Sequence, residues 1–408
     1  MARCDSSRPA AAFTTLLTMR SFHHVLLALV LCSPALGAQQ EPPRRLEFPA
    51  DTTRPASDST RPASDTGGVR GQTSRELRNR FVRDQTALGF AVYAPAFAVM
   101  VGRDGVTGAA GYLVMAGGTF FAAAEVTRRV NITDARHILS SAMALRGAGG
   151  ALLIAGQSGM SARPAAAVTL IGGLAGTTTG LILGGGLTPG EAAATVFGHD
   201  FAAMTAFAIT LAGDSDPFDD SGVDKTTAAV AWTAAGIGGY FAGHWYASHA
   251  KHNVTVGDVQ TLWLGASIGA LGAGAVLASS SPSDATSALT SLGGAWIGTI
   301  AAERLLVRRY DHSRGDGNLL ALGGTAGALM GMGIGILVSG EADRGGAATL
   351  GFATAGAIGG VAMAERYIQP DRDAGRLAFL DRLTISPTAL VAAASRQPGQ
   401  HALVRFIF

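Results

Sequence analysis

LLALGGTAGALMGMGIGILVS, residues 319–339, places Gly323, Gly327, Gly331 and Gly335 four residues apart within one apolar run. Residues four apart share a face of an α-helix, so these glycines form a shallow groove into which a neighbouring backbone can settle. The same spacing recurs at Gly172, Gly176, Gly180 and Gly184, and in shorter form at Gly239/Gly243, Gly265/Gly269, Gly294/Gly298 and Gly356/Gly360. The length of the run is helical too. About twenty residues at about 1.5 Å each span roughly 30 Å, the hydrocarbon thickness of a bilayer. A membrane β-strand would instead show about ten residues of strict apolar/polar alternation.

Outward from this stretch, about ten Gly/Ala-rich segments follow one another, at roughly 76–101, 106–130, 133–157, 163–186, 189–213, 224–250, 256–279, 284–309, 316–339 and 343–368. Related starts, NITDARHI, TPGEAAATV, TVGDVQTLW and RGDGNLLAL, align Asp134, Glu191, Asp258 and Asp316 as acids at helix N-termini, where the helix dipole favours negative charge. Related ends, AAEVTRR, AAERLLVRR and MAERYIQP, align Glu125, Glu303 and Glu365. The expected fold is an all-α membrane protein of about ten helices in five repeated hairpins over residues 75–370. Internal repetition of this kind decides architecture before any single residue does.

Composition agrees with that reading. Hydrophobic residues make up 48% of the chain and charged residues 15%, with a formal charge of +2 and 56 glycines. So much glycine in soluble helices costs about 1 kcal/mol per exposed interior position unless close packing offsets it. No basic face suited to nucleic acid is visible. Residues 1–38 read as a signal peptide, with HVLLALVLC as its apolar core, SPALGA as its cleavage end and residues 1–18 as a long leader or a start-site artefact. Both cysteines, Cys4 and Cys32, fall within it, which leaves no thiol for a disulfide or a metal. Residues 39–74, with the doublet TRPASDS and TRPASDT, read as a Pro/Ser/Thr/Asp linker too poor in apolar surface to fold.

Charge placement sets up a conflict. Arg128, Arg129, Arg136, Lys251, Arg304, Arg308, Arg309 and Arg314 lie on the side of the N-terminal Arg75, Arg78, Arg80 and Arg83. The positive-inside rule puts that side in the cytoplasm, whereas a cleaved signal puts it outside. Either the first segment, which contains Pro95, lies on the membrane surface, or the chain is exported and assembles elsewhere in the envelope. Residues 371–408 read as a tail ending in a short β-hairpin, with strand-like runs around a PGQ turn. The segment His401 to Phe408 resembles the last-strand signal of bacterial outer-membrane proteins, and the Gly-every-four runs resemble the glycine-zipper hairpins of small bacterial envelope proteins. These resemblances imply a cell-envelope location, the outer membrane or a periplasm-facing membrane, with the inner membrane as alternative. The implied partners are the lipid bilayer, further copies of the chain, and an envelope protein held by the linker.

Chemistry is sparse. No GxSxG nucleophile, phosphate loop or paired carboxylates in a polar cleft can be found, so neither an enzyme nor a cofactor or metal is expected. The acidic loop 214–224 departs from a calcium loop at its fifth, sixth and twelfth positions, and His244, His249 and His252 lack an HExxH pattern. Charges within apolar helices remain as the functional candidates. Arg146 interrupts AMALRGAGG, and His199 with Asp200 interrupts TVFGHDFAA. Counted from Asp134 and Glu191, Arg146 and Asp200 differ in depth by about 4.5 Å, close enough for a buried ion pair. These residues fix which helices are neighbours, carry a proton or ion, or simply face an interface or water, and a scaffold and a transporter or channel are the two functional classes.

Overall fold

The computed structural model describes residues 74–213, 225–280, 282–339 and 346–368, with the backbone alone of 383–385 and 404–406. The expected signal peptide, nearly all of the linker, the acidic loop 214–224 and most of the C-terminal tail lie outside the described residues.

Helix α1 (Ser74–Leu88) continues through a π-helical turn (Gly89–Tyr93) into α2 (Ala94–Val101), and α3 (Gly105–Arg129) returns beside it. There follow α4 (Asp134–Gln157), α5 (Ala162–Leu183), α6 (Pro189–Gly213), α7 (Lys225–His249), α8 (Val256–Leu277), α9 (Asp284–Ala302), α10 (Arg314–Ser339) and α11 (Gly346–Ile368). Consecutive helices pack as antiparallel pairs: α2 with α3, α4 with α5, α6 with α7, α8 with α9, and α10 with α11. Among the described residues, eight segments are long and apolar enough to cross a membrane, with α1, its π turn and α2 counted as one. Only 17–39% of each apolar window is buried, and Phe121, Ile182, Phe241, Ile297 and Met363 point outward. Apolar surface on that scale belongs in lipid rather than water.

Three expectations are refined. The ten expected helical segments are all present among the described residues, and eight of them are long and apolar enough to cross a membrane, α7 and α9 being less apolar. Helix α7 carries Trp232, Tyr240, His244, Trp245, Tyr246 and His249, and α9, continued by a π turn at Glu303–Val307, carries Thr286, Ser287, Thr290, Ser291 and Thr299. Secondly, the Pro95 segment does not lie across the end of the bundle. Asp84 meets His137 at the start of α4, Tyr93 donates to Gly173 in mid-α5, and Gly102 accepts from Arg163 at the start of α5. The segment therefore runs the full height of its neighbours. The wider turn ahead of Pro95 relieves the clash that proline makes with the preceding turn, so the helix continues. Thirdly, among its described residues the tail holds β1 (Leu383–Ile385) and β2 (Val404–Phe406), paired with Leu383 opposite Phe406. Three residues a side, with the connection outside the described residues, do not support the C-terminal β-hairpin.

Glycine governs how closely the paired helices approach. A Cβ on Gly176 would lie 2.6 Å from the Met143 carbonyl carbon, and one on Gly180 within 2.5 Å of Ser140 Cα. Gly172 and Gly184 meet the backbone of Gly147 and Arg136. In the last pair Gly323, Gly327, Gly331 and Gly335 meet Gly360, Gly356, Phe352 and Thr349 in turn. Gly198 with Gly239, and Gly265 with Gly298, repeat the contact in the two pairs between. Tight backbone contact of this kind replaces side-chain bulk as the source of packing energy.

Candidate functional site

Four helices start at one end of the bundle with the same device. Thr188 and Glu191, Thr255 and Asp258, and Ser313 and Asp316 form reciprocal caps, each hydroxyl accepting from the acid's backbone N–H and each acid from the hydroxyl residue's N–H. At α4 the capping residue is Thr133, which accepts from Arg136 N. Asp134 is therefore two residues out of register with Glu191, Asp258 and Asp316. Its carboxylate instead receives Arg314 from the start of α10 at 2.9 Å.

The corrected register explains the pair in the middle of the bundle. Arg146 lies thirteen residues after Thr133 and Asp200 twelve after Thr188, so their depths differ by one residue, about 1.5 Å. Arg146 Nε donates to Asp200 Oδ1 at 2.5 Å, its second terminal nitrogen bonds Oδ2, and Nη1 donates to the Ala142 carbonyl at 2.9 Å. His199 Nδ1 lies 2.9 Å from Asp200 Oδ1. Its ring packs 4.6 Å from that of Tyr240 on α7, whose buried hydroxyl has no partner among the described residues. All three candidates from the sequence, Arg146, His199 and Asp200, thus meet in one cluster joining α4, α6 and α7. A bidentate pair is fixed by geometry as well as charge, and here both side chains are partly buried.

A second cluster had escaped the sequence reading. His312, directly ahead of the cap of α10, is fully buried, with Nδ1 3.0 Å from Asp258 Oδ1 and Nε2 3.0 Å from Glu365 Oε2. The His312 backbone N–H also donates to Asp258 Oδ1 at 3.1 Å, while Asp258 Oδ2 accepts from Thr255 N. Thr255 Oγ1 donates to the His312 carbonyl. The start of α8, the loop before α10 and the end of α11 are tied at one point. Both ring nitrogens are occupied by carboxylates, which leaves neither for a metal, and among the described residues no other metal-holding group occurs. Burial works against the charged ring, but the hydrogen bonds and charges of Asp258 and Glu365 outweigh it and push its pKa up to about 9.

A raised histidine pKa contributes stability that is complete below the unfolded value near 6.5 and is lost as pH rises through about 9. The expected loss between those limits is roughly 3 kcal/mol. Melting temperature measured from pH 6 to pH 10 should fall over this window. The same scan on His312→Val should be flat there.

The other aligned acids have local partners. Glu125 accepts from Arg129 at 2.8 Å and Glu303 from Arg308 at 2.6 Å, near the ends of their own segments. His244 and Trp245 are exposed near the end of α7, and His249 stacks on Trp245. Comparison with protein-family models, curated proteins and solved structures gives no match.

Proposed function

We propose that this chain is a non-enzymatic integral membrane protein of the bacterial cell envelope, whose glycine-zipper hairpins form a scaffold or homo-oligomer. The observation that carries the reading is the run of glycine-to-backbone contacts repeated in four successive helix pairs. Chemistry rarely needs so much of a chain devoted to close packing. The buried clusters fit the same role, since Arg146 with Asp200 and His312 with Asp258 and Glu365 each join helices of different pairs. Export rests on the signal-like run HVLLALVLC followed by SPALGA. Separation of inner from outer membranes, with the mature N-terminus sequenced, tests the location. Recovery in the outer membrane from near Gln39 fits the exported scaffold, and inner-membrane recovery removes that location.

One observation favours a second reading, a transporter or channel. His199, Asp200 and Tyr240 form a line of titratable groups within the bundle, and a transporter would place such groups there. Two variants separate the readings. Asp200→Asn leaves Arg146 half-paired and should cost about 1–3 kcal/mol. The double variant Arg146→Met/Asp200→Leu, which removes both charges, should recover most of that loss. A scaffold keeps its phenotype in the folded double variant; a transporter loses it.

A further inference from the structure

At the arginine-rich end of the bundle, α1 and α3 enclose an open groove of about 920 Å³, used by neither buried cluster and within the volume typical of ligand sites. Arg75, Arg78 and Arg83 of α1 and Arg128 of α3 form its charged rim, while Val82 and Phe120 supply an apolar floor.

The rim is only partly neutralised. Arg83 Nε donates to Asp84 at 2.8 Å, and the other oxygen of Asp84 is taken by His137. Arg128 reaches Glu125 at 3.5 Å, whereas Arg129 holds the same carboxylate at 2.8 Å. Arg75 and Arg78 make no ion pair among the described residues. Glu76 is the remaining acid on this turn of α1. Arginine excess in a concave site favours a phosphate, which the planar guanidinium can hold through two hydrogen bonds.

The direction of the groove identifies the source of that phosphate. Phe120 lies eight residues before Arg128 on α3, roughly 12 Å towards the middle of the helix. Phe120 is half-exposed and Phe121 more so, on a helix whose outer surface is apolar. The groove therefore descends from charged rim to lipid-facing floor along a membrane-crossing helix. A free anion would use only the upper part.

We propose that this groove binds an anionic phospholipid, its phosphate held by Arg75, Arg78 and Arg128 and the first carbons of its chains lying on Val82 and Phe120. The inference needs the chain to sit in a bilayer but is independent of whether its function is a scaffold. The test uses the full-length protein in phosphatidylcholine nanodiscs, with added phosphatidylglycerol and retained lipid read by native mass spectrometry. Retention of phosphatidylglycerol should exceed that of phosphatidylcholine by about 100-fold, at roughly fivefold for each of the three arginines. Arg78→Gln/Arg128→Gln should reduce it about 25-fold, from roughly fivefold per arginine. Arg103→Gln, at the other end of the bundle, should leave it unchanged, and Phe120→Ser should weaken lipid retention without altering binding of inorganic phosphate.

Equal retention of the two lipids, equal loss in Arg103→Gln, or saturation by inorganic phosphate with no lipid preference would overturn the proposal. If the double glutamine variant does not fold, Arg78→Lys/Arg128→Lys decides instead. It keeps the charge but loses the paired hydrogen bonds of the guanidinium, so the preference must fall without vanishing, and about 0.5 M salt must weaken the preference of the unmodified protein.

Discussion

Gly327→Leu should disrupt the α10–α11 pair and lower stability by about 3 kcal/mol or more. Even the first carbon of the new side chain would lie 2.8 Å from the Gly356 carbonyl carbon and 3.1 Å from Gly360 Cα, so the two backbones must part. Their separation would also loosen the neighbouring contacts of Gly323 and Gly331, because one helix cannot bend away at a single residue. Gly333 lies on the same helix with nothing within 4 Å of where its Cβ would stand. Gly333→Ala should therefore stabilise by roughly 0.5–1 kcal/mol through the helix propensity of alanine. Thermal melting of the three proteins in one detergent checks the ordering. Coincident melting of Gly327→Leu and the parent would show that the close approach of these backbones contributes nothing.

The second large effect is expected at His312. His312→Val leaves Asp258 and Glu365 buried near one another without the cation between them, at a cost of about 3–5 kcal/mol. A second substitution should restore most of it. Asp258 still caps the start of α8, as Glu191 and Asp316 cap theirs, so Glu365 alone is left without a role. His312→Val/Glu365→Leu would reproduce the apolar arrangement that Val254 has ahead of the preceding start. Chemical or thermal unfolding of the single and double variants measures the recovery, and a double variant no better than the single would refute the assignment.

Much of the architecture was legible because it rests on spacing. Glycine at every fourth position marks where helices approach, and that pattern survives without knowledge of the partner. Hydropathy was a poorer guide, since α7 and α9 keep the length of their neighbours while aromatic and hydroxyl side chains lower their hydrophobicity. The depth of Arg146 was misjudged because Asp134 imitates the acid of the repeat from two residues away. The capping hydroxyl, Thr133, was the better anchor, as it is fixed by a backbone hydrogen bond rather than by charge alone.

His312 could have been found from the same register. The residue ahead of each cap is Ile132, Leu187, Val254 or His312, so histidine occupies a place otherwise apolar. Ile132 and Val254 are buried at this position, where an apolar residue normally staples the helix start. Glu365 gave a matching signal. Glu125 and Glu303 are followed within five residues by Arg129 and Arg308, whereas the corresponding positions after Glu365 hold Gln369 and Pro370. An acid deprived of its local cation and a histidine in an apolar place were each incomplete alone. Their meeting depended on tertiary packing between the last two helix pairs, which spacing along the chain does not encode.

The bond between Arg314 and Asp134 has a consequence for growth and assembly. Ala135 packs with Ala192, Val254 lies against Gly190, and His312 lies against Gly257. These contacts lead from the start of α4 to those of α6, α8 and α10, and Arg314 returns the path to α4 across 180 residues. A solenoid of helical pairs can gain or lose a unit at its end with little effect on the others. A closed circuit has no such freedom. Another pair inserted within it would have to break the closing bond, and a nascent chain halted before Arg314 would leave Asp134 waiting for its cation. A single ion pair between partly exposed side chains thus brings the starts of α4 and α10 together, and it can form only once α10 has been made.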